Sequence, residues 1–222
     1  MAAPVITVDG PSGVGKGTIS KHLAGALGWH YLDSGALYRI LGYAAQEAGI
    51  DFDDVDGLLS LCGELRIEFD DGARLNGELV EDRIRNELAG ENASRVASHA
   101  PIRAAILDLQ RDFRREPGLV ADGRDMGTTI FPRAGHKFYL VADAEERAKR
   151  RYKQLLEKGQ NGNIAALFRD IQQRDERDMN RKDSPLRPAV DAIIIDTTSL
   201  SISAVLKKVI DLLPYEVSVE LE

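Results

Sequence analysis

A chain of 222 residues with 43% hydrophobic and 29% charged residues can bury a core of its own and is too ordinary in texture for global disorder. A net charge of −7 argues against a protein that coats nucleic acid, because the phosphate backbone demands an excess of clustered Lys and Arg. The lone Cys62, in the apolar stretch LLSLC, excludes an internal disulfide and a cysteine-built metal site; with no export signal in residues 1 to 25 and no apolar run of ~18 residues, the expectation is a cytoplasmic protein with a buried thiol and no membrane segment.

Val5 to Val8 is short, β-branched and apolar, and reads as a buried strand. Lys16 to Leu27 repeats apolar residues at Ile19, Leu23, Ala24 and Leu27 ahead of Gly28, a helix with a glycine stop. Trp29 to Leu32 predicts a second strand, and Ser34 a cap for a helix that runs to Ala48 and closes at Gly49. Between Leu65 and Val80 the turn signals DDG and NG predict a small antiparallel ribbon. Helices follow over Asn86 to Ala97 and Pro101 to Arg115, with Pro101 in a first turn. Leu119 to Asp122 and Lys137 to Val141 read as strands, Ala144 to Lys158 and Ile164 to Arg181 as helices, Ala192 to Asp196 as a strand and Ile202 to Leu213 as a closing helix. Strands alternating with helices imply one α/β domain over 1–222, a central parallel sheet between two helical layers. The ribbon and its flanking helices, 34–117, read as an insertion, and the charged segment 148–187 as a mobile lid.

The stretch VITVDGPSGVGKGT carries Gly10, Gly13, Gly15 and Gly17 around Lys16, after a strand and before a helix. Backbone that folds around phosphate must aim several N–H groups at one point, in conformations that residues with a Cβ resist, while the helix N-terminus and the lysine add positive charge. This is the context of a P-loop, with Gly10, Pro11, Ser12, Gly13, Val14, Gly15, Lys16, Gly17 and Thr18 as its residues. Gly17 occupies the place where a magnesium-binding hydroxyl is usual, so the metal should be held through water and carboxylates. The form GxxGxGKGT resembles nucleoside monophosphate kinases.

A transferase needs a second anion site, and three stretches offer one. In DSGALYR, Asp33 ends a strand, Ser34 begins a helix and Arg39 lies near one turn on; an ordinary cap with a surface arginine is the alternative. In LVADGRDMGT, Asp122 sits at a strand's C-terminal end, where α/β sites lie, and Arg124 and Asp125 follow in a tight turn, or form a plain loop ion pair. In QQRDERDMNRKDSPLRP, at about 100° per residue, Arg174, Arg177, Asp178 and Arg181 share a helical face, either a phosphate clamp or a solvated surface. The helix ERAKRRYKQLLEKG offers arginines to ATP, or a solvated face with i,i+4 pairs Glu146–Arg150 and Glu145–Lys149. The four histidines share no ligand spacing.

Taken in order with the P-loop and ENASRVASHAPIRAAILDLQR, these stretches closely resemble the bacterial cytidylate kinase family over nearly the whole chain. The resemblance implies transfer of the ATP γ-phosphoryl group to CMP or dCMP, with Mg²⁺, by a cytoplasmic monomer that binds small nucleotides and neither nucleic acid nor membrane. It implies that Gly10 to Thr18 wrap the ATP phosphates and Lys16 stabilises the transferred group. Ser34, Arg39, Arg124 and Arg181 would hold the acceptor phosphate, Ser94, Arg103 and Asp125 the cytosine, and Arg174 and Asp178 the ribose. Lys16, Arg124 and Arg181 are the expected catalytic residues, and Asp33 and Asp122 would address the metal through water. Met179 departs from the arginine some relatives carry there. Loss of Arg181 is expected to cut turnover and spare the fold. A kinase for another monophosphate such as UMP, or an ATP-binding conformational switch, are the alternatives.

Overall fold

The computed structural model describes residues 2–69, 72–157, 159, 161–214 and 217. The chain forms two compact units, one of Met1–Leu32 with Asp112–Glu222 and one of Asp33–Arg111.

The first unit begins with β1 (Val5–Asp9), buried at every residue. It runs through the glycine loop into α1 (Lys16–Leu27), which buries Ile19, Leu23 and Ala24 and stops at Gly28, left-handed at φ 63° with its N–H donating to the carbonyls of Ala24 and Gly25. That is the glycine stop the periodicity predicts, since a Cβ resists this backbone conformation. β2 (His30–Asp33) follows.

The second unit opens with α2 (Ser34–Glu47), and here the expectation fails by one residue: Asp33 is the cap, its carboxylate accepting from the Ala36 N–H, and Ser34 is already helical. A carboxylate also suits the positive helix end better than a hydroxyl. α3 (Val55–Glu64), the short strands β3 (Ile67–Glu68), β4 (Arg74–Leu75) and β5 (Glu78–Leu79), α4 (Glu81–Ile84) and α5 (Glu87–Val96) come next. The strands form an antiparallel sheet in that order. Its Asn76-Gly77 turn has positive φ at both residues, 52° and 85°, as a two-residue hairpin requires. Residues 70 and 71 of the DDG turn lie outside the described residues. Cys62 is half-buried rather than enclosed. The single helix expected from Pro101 is two, α6 (Ala100–Ala105) and α7 (Leu107–Asp112), because the backbone relaxes to φ −96°, ψ 0° at Ile106. Ala36 and Ile40 of α2 pack with Ala73, Val80 and Ile84 in this unit's core, and α2 also packs against α5.

The chain then returns to the first unit with β6 (Leu119–Gly123), a π-helical turn at Met126–Ile130, β7 (His136–Val141), α8 (Ala144–Glu157), α9 (Ile164–Met179), β8 (Ile193–Asp196) and α10 (Ile202–Asp211). The five-stranded sheet has the order β2-β6-β1-β7-β8, and the β1–β6, β1–β7 and β7–β8 ladders are parallel. Ile6 and Val8 of β1, Ile19 and Leu23 of α1, Val120, Phe138, Leu140, Ile195, Val205 and Val209 form one buried core. α8 and α9 pair over Ala148, Leu155 and Leu167. Strand order reverses at β1, so its carboxyl end, with Asp9 registered against Gly123 and Tyr139, is the switch point where α/β sheets hold ligands. No helix among the described residues is long and apolar enough to cross a membrane.

Candidate active site

The loop after β1 has the backbone the glycines predict: Gly10, Gly13 and Gly15 hold φ of 146°, 80° and 94°. At Gly10 a Cβ would fall 2.2 Å from the Leu140 carbonyl oxygen, so the loop turns hard against β7 and tolerates no side chain there. Val14 packs into the core, while Thr18 is exposed in the first turn of α1. At Gly17, a Cβ would sit 3.3 Å from Asp122 Oδ2 and 3.6 Å from the Tyr31 hydroxyl. A side chain at position 17 would therefore press on Asp122 and lie against Tyr31, whose O–H donates to Asp122 Oδ2 at 3.2 Å.

Lys16 is buried and curls over the loop to donate to the Pro11 carbonyl at 2.9 Å. Burial, then the nearby Arg124, push its pKa down to about 7, against the pull of Asp122. A phosphate chain would reverse that balance, since an anion favours the ammonium form. Beside it stands a residue whose role the linear pattern conceals. Asp9 accepts from the backbone N–H groups of Met126 and Gly127 at 2.8 Å each, and burial pushes its carboxyl up to about 7 despite them. These two bonds pin the start of the π-helical turn that directly follows Arg124 and Asp125. Arg124 and Asp125 form the bend directly after β6, and the π-helical turn of Met126–Ile130 follows it, with the Ile130 N–H donating to the Asp125 carbonyl at 3.2 Å.

Arg124 leaves this bend and donates from Nε to Asp178 Oδ2 at 3.0 Å. Asp178 lies on α9, and its Oδ1 is 3.6 Å from Arg181 Nη2. Burial pushes the Asp178 carboxyl up, but Arg124, Arg181 and Arg174 outweigh it and hold its pKa below the ordinary value. One carboxylate thus gathers arginines from two elements, and Lys16 lies close enough to feel Arg124 and Arg174. Two expectations change. The helix ends at Met179 with Asn180 as its cap, so Arg181 lies beyond the predicted helical face. Arg181 is also buried, its Nε donating to the Asp178 carbonyl at 3.2 Å, so its removal touches the fold as well as the site. Arg174 is half-buried and Asp125 buried.

The basic helix α8 divides in two. Arg150 bonds the Thr197 and Thr198 carbonyls and approaches Glu146 at 3.6 Å, and Lys149 is 3.9 Å from the same Glu146. Arg147, in contrast, is buried: it donates to the carbonyls of Ala142 and Ser12 and forms an ion pair with Asp175. The alternation of charge in ERAKRRYK hides this, because a buried arginine and a solvated one look alike in sequence.

In the second unit, Ser34 is buried at the first turn of α2 and accepts from Gln110 Nε2 at 2.9 Å. Asp33 is held by Arg85 at 2.7 Å while it caps α2. Arg39 Nη1 donates to the Ile84 and Asn86 carbonyls at 2.7 and 3.0 Å, which ties α2 to the α4–α5 junction. Ser94 is buried on α5, and Arg103 is buried on α6 with its guanidinium 5.7 Å from the centre of the Tyr38 ring. Each of these residues is therefore fixed by its own unit.

The family described as cytidylate kinase matches residues 6–214. The chain is 50% identical over 208 residues to the cytidylate kinase of Cupriavidus pinatubonensis, covering 93% of this chain and 94% of that one. It is 50% identical over 218 residues to that of Nitrosomonas eutropha, covering 98% and 97%. Among solved structures, a gluconokinase from Sinorhizobium meliloti aligns with a TM-score of 0.48 at 14% identity, covering 93% of this chain and 89% of that one.

Proposed function

The chain belongs to the cytidylate kinase family, and from that premise we propose that it moves the γ-phosphoryl group of ATP onto the α-phosphate of CMP or dCMP. The observation that carries the reading is the cluster at the carboxyl end of the sheet, where a glycine loop, Lys16, Arg124, Arg174 and Asp178 meet in one electrostatic environment. The attacking phosphate oxygen is already an anion, so no general base is required, and catalysis reduces to positioning and charge neutralisation.

The loop from Gly10 to Thr18 wraps the donor phosphates, with Lys16 leaving the Pro11 carbonyl to follow the charge as it moves. Arg124 and Arg181, pre-set by Asp178, neutralise the acceptor phosphate together with Ser34 and Arg39. Ser94, Arg103 and Asp125 read cytosine, since a carboxylate accepts from its N4 amino group and a guanidinium donates to its acceptor edge. Arg174 and Asp178 address the ribose. The inserted segment 34–117 serves acceptor recognition and 148–187 serves closure, which keeps water from competing as acceptor.

Magnesium would supply charge neutralisation between the donor's outer phosphates. Asp122 fits an outer contact to it: a hard oxygen donor at a strand end, orientated by Tyr31 and facing Gly17. Asp33 fits less well, because its two oxygens serve the Ala36 N–H and Arg85. The protein acts in the cytoplasm and as a monomer, and sedimentation of the purified chain would check its oligomeric state. Its direct test is ADP formation across CMP, dCMP, UMP and AMP. Rates with CMP and dCMP should far exceed the others; equal rates with UMP or AMP would replace the substrate, and ADP formation indifferent to any acceptor would replace kinase by ATP-driven switch.

A further inference from the structure

Gln110 is fully buried on α7, one turn after the buried Ile106 and two after Ile102, in a stripe otherwise apolar. Its Nε2 donates to Ser34 Oγ at 2.9 Å, across 76 positions of sequence. Its Oε1 is buried too, and the described residues give that oxygen no hydrogen-bond partner. A buried amide satisfied on one side only weakens a fold that an apolar side chain of the same length would serve better. Something other than packing accounts for it.

The geometry of the bond supplies the reason. A serine hydroxyl offers one proton and two lone pairs. With Gln110 donating into a lone pair, the hydroxyl proton is the part of Ser34 left to point elsewhere. The neighbouring Asp33 is itself locked, capping Ala36 and held by Arg85, so the first turn of α2 has little freedom to reorient the side chain. We propose that Gln110 is a positioning residue that turns the Ser34 O–H into a dedicated donor for an oxyanion, which on the reading given above, on which this inference rests, is the acceptor's α-phosphate.

Four variants test it: Gln110→Met, which keeps length without an amide; Gln110→Glu, whose carboxylate would accept the Ser34 proton; Ser34→Ala; and the double variant Gln110→Met with Ser34→Ala. Steady-state KM for CMP, KM for ATP, kcat and Tm are read for each. Gln110→Met should raise KM for CMP about tenfold, the scale of one hydrogen bond to a charged group, with KM for ATP unmoved and Tm not lowered. Gln110→Glu should raise KM for CMP further, and Gln110→Met should add nothing once Ser34 is alanine. The inference is overturned if Gln110→Met leaves KM for CMP unchanged while Ser34→Ala raises it, or if its effect persists undiminished in the Ser34→Ala background. If Gln110→Met does not fold, Gln110→Glu with an unchanged KM for CMP overturns it equally. If Ser34→Ala itself leaves KM for CMP unchanged, the acceptor role of Ser34 falls, and this inference with it.

Discussion

Replacing Asp178 by asparagine removes one charge and almost no volume, and it strikes the point where Arg124 and Arg181 meet. The two guanidiniums are 3.0 and 3.6 Å from its oxygens, with side-chain exposures of 19% for Arg124 and 4% for Arg181. Breaking a buried ion pair by removing one partner costs about 3–5 kcal/mol. The lower end applies, because the amide of the Asp178→Asn variant would keep an acceptor oxygen and Arg181 keeps its bond to the backbone carbonyl of residue 178. A loss of about 3 kcal/mol in a chain of this size lowers Tm by roughly 6–12 °C. The sign with pH follows from the depressed carboxyl: its contribution is present above the ordinary value of 3.8 and is lost as pH falls through the still lower folded value. The Tm gap between wild type and variant should therefore be flat from neutral pH to about pH 5 and narrow below the ordinary carboxylate pKa. CMP, whose phosphate can replace the missing charge, should restore part of the lost Tm. Differential scanning calorimetry with and without CMP, alongside kinetics, reads all of this, with kcat/KM expected to fall about 10²-fold from misplaced arginines. A Tm within a degree or two of wild type together with a kcat/KM within a few-fold would refute the reasoning.

Lys16 should take up a proton when ATP binds. Its pKa of about 7 in the free protein leaves it mostly neutral at pH 8, and the phosphate chain favours the charged form, so calorimetric titrations in buffers of different ionisation enthalpy should show uptake that fades towards pH 6. Two glycines separate fold from function. Gly10→Ala drives a Cβ to 2.2 Å from the Leu140 carbonyl oxygen at φ 146° and should sharply lower Tm, whereas Gly17→Ala meets Asp122 Oδ2 at 3.3 Å and should lower turnover several-fold at nearly unchanged Tm. Arg181→Ala should reduce kcat by about two orders of magnitude, the scale of a lost charge-stabilising contact, and lower Tm as well; a large fall in kcat with an unmoved Tm would contradict its buried placement.

The elements whose periodicity is local are readable from sequence: β1, the glycine loop, α1 to its Gly28 stop, and the Asn76-Gly77 turn all follow from rules that span a few residues. The glycine loop is legible for the same reason, since its chemistry is backbone chemistry. What escapes the sequence is carried by side chains reaching far along the chain. Asp9 reads as the last residue of a strand, yet its carboxylate fixes a turn 117 positions away. Arg147 looks like one more cation on a charged helix, and its burial depends on Asp175 and the Ser12 carbonyl. Arg181 reads as part of a helical face because the pattern runs on past the helix's end at Met179. Gln110 leaves one usable trace, a polar residue in register with Ile102 and Ile106 at four-residue spacing, which is where a buried amide with a task would stand.

The measurement closest to the central claim follows the phosphoryl group itself. With ATP labelled in its γ-phosphate, CMP present and water as the only other acceptor, the purified protein should place the label in CDP, and in dCDP when dCMP replaces CMP. Label recovered as inorganic phosphate at the same rate with or without CMP would contradict the account.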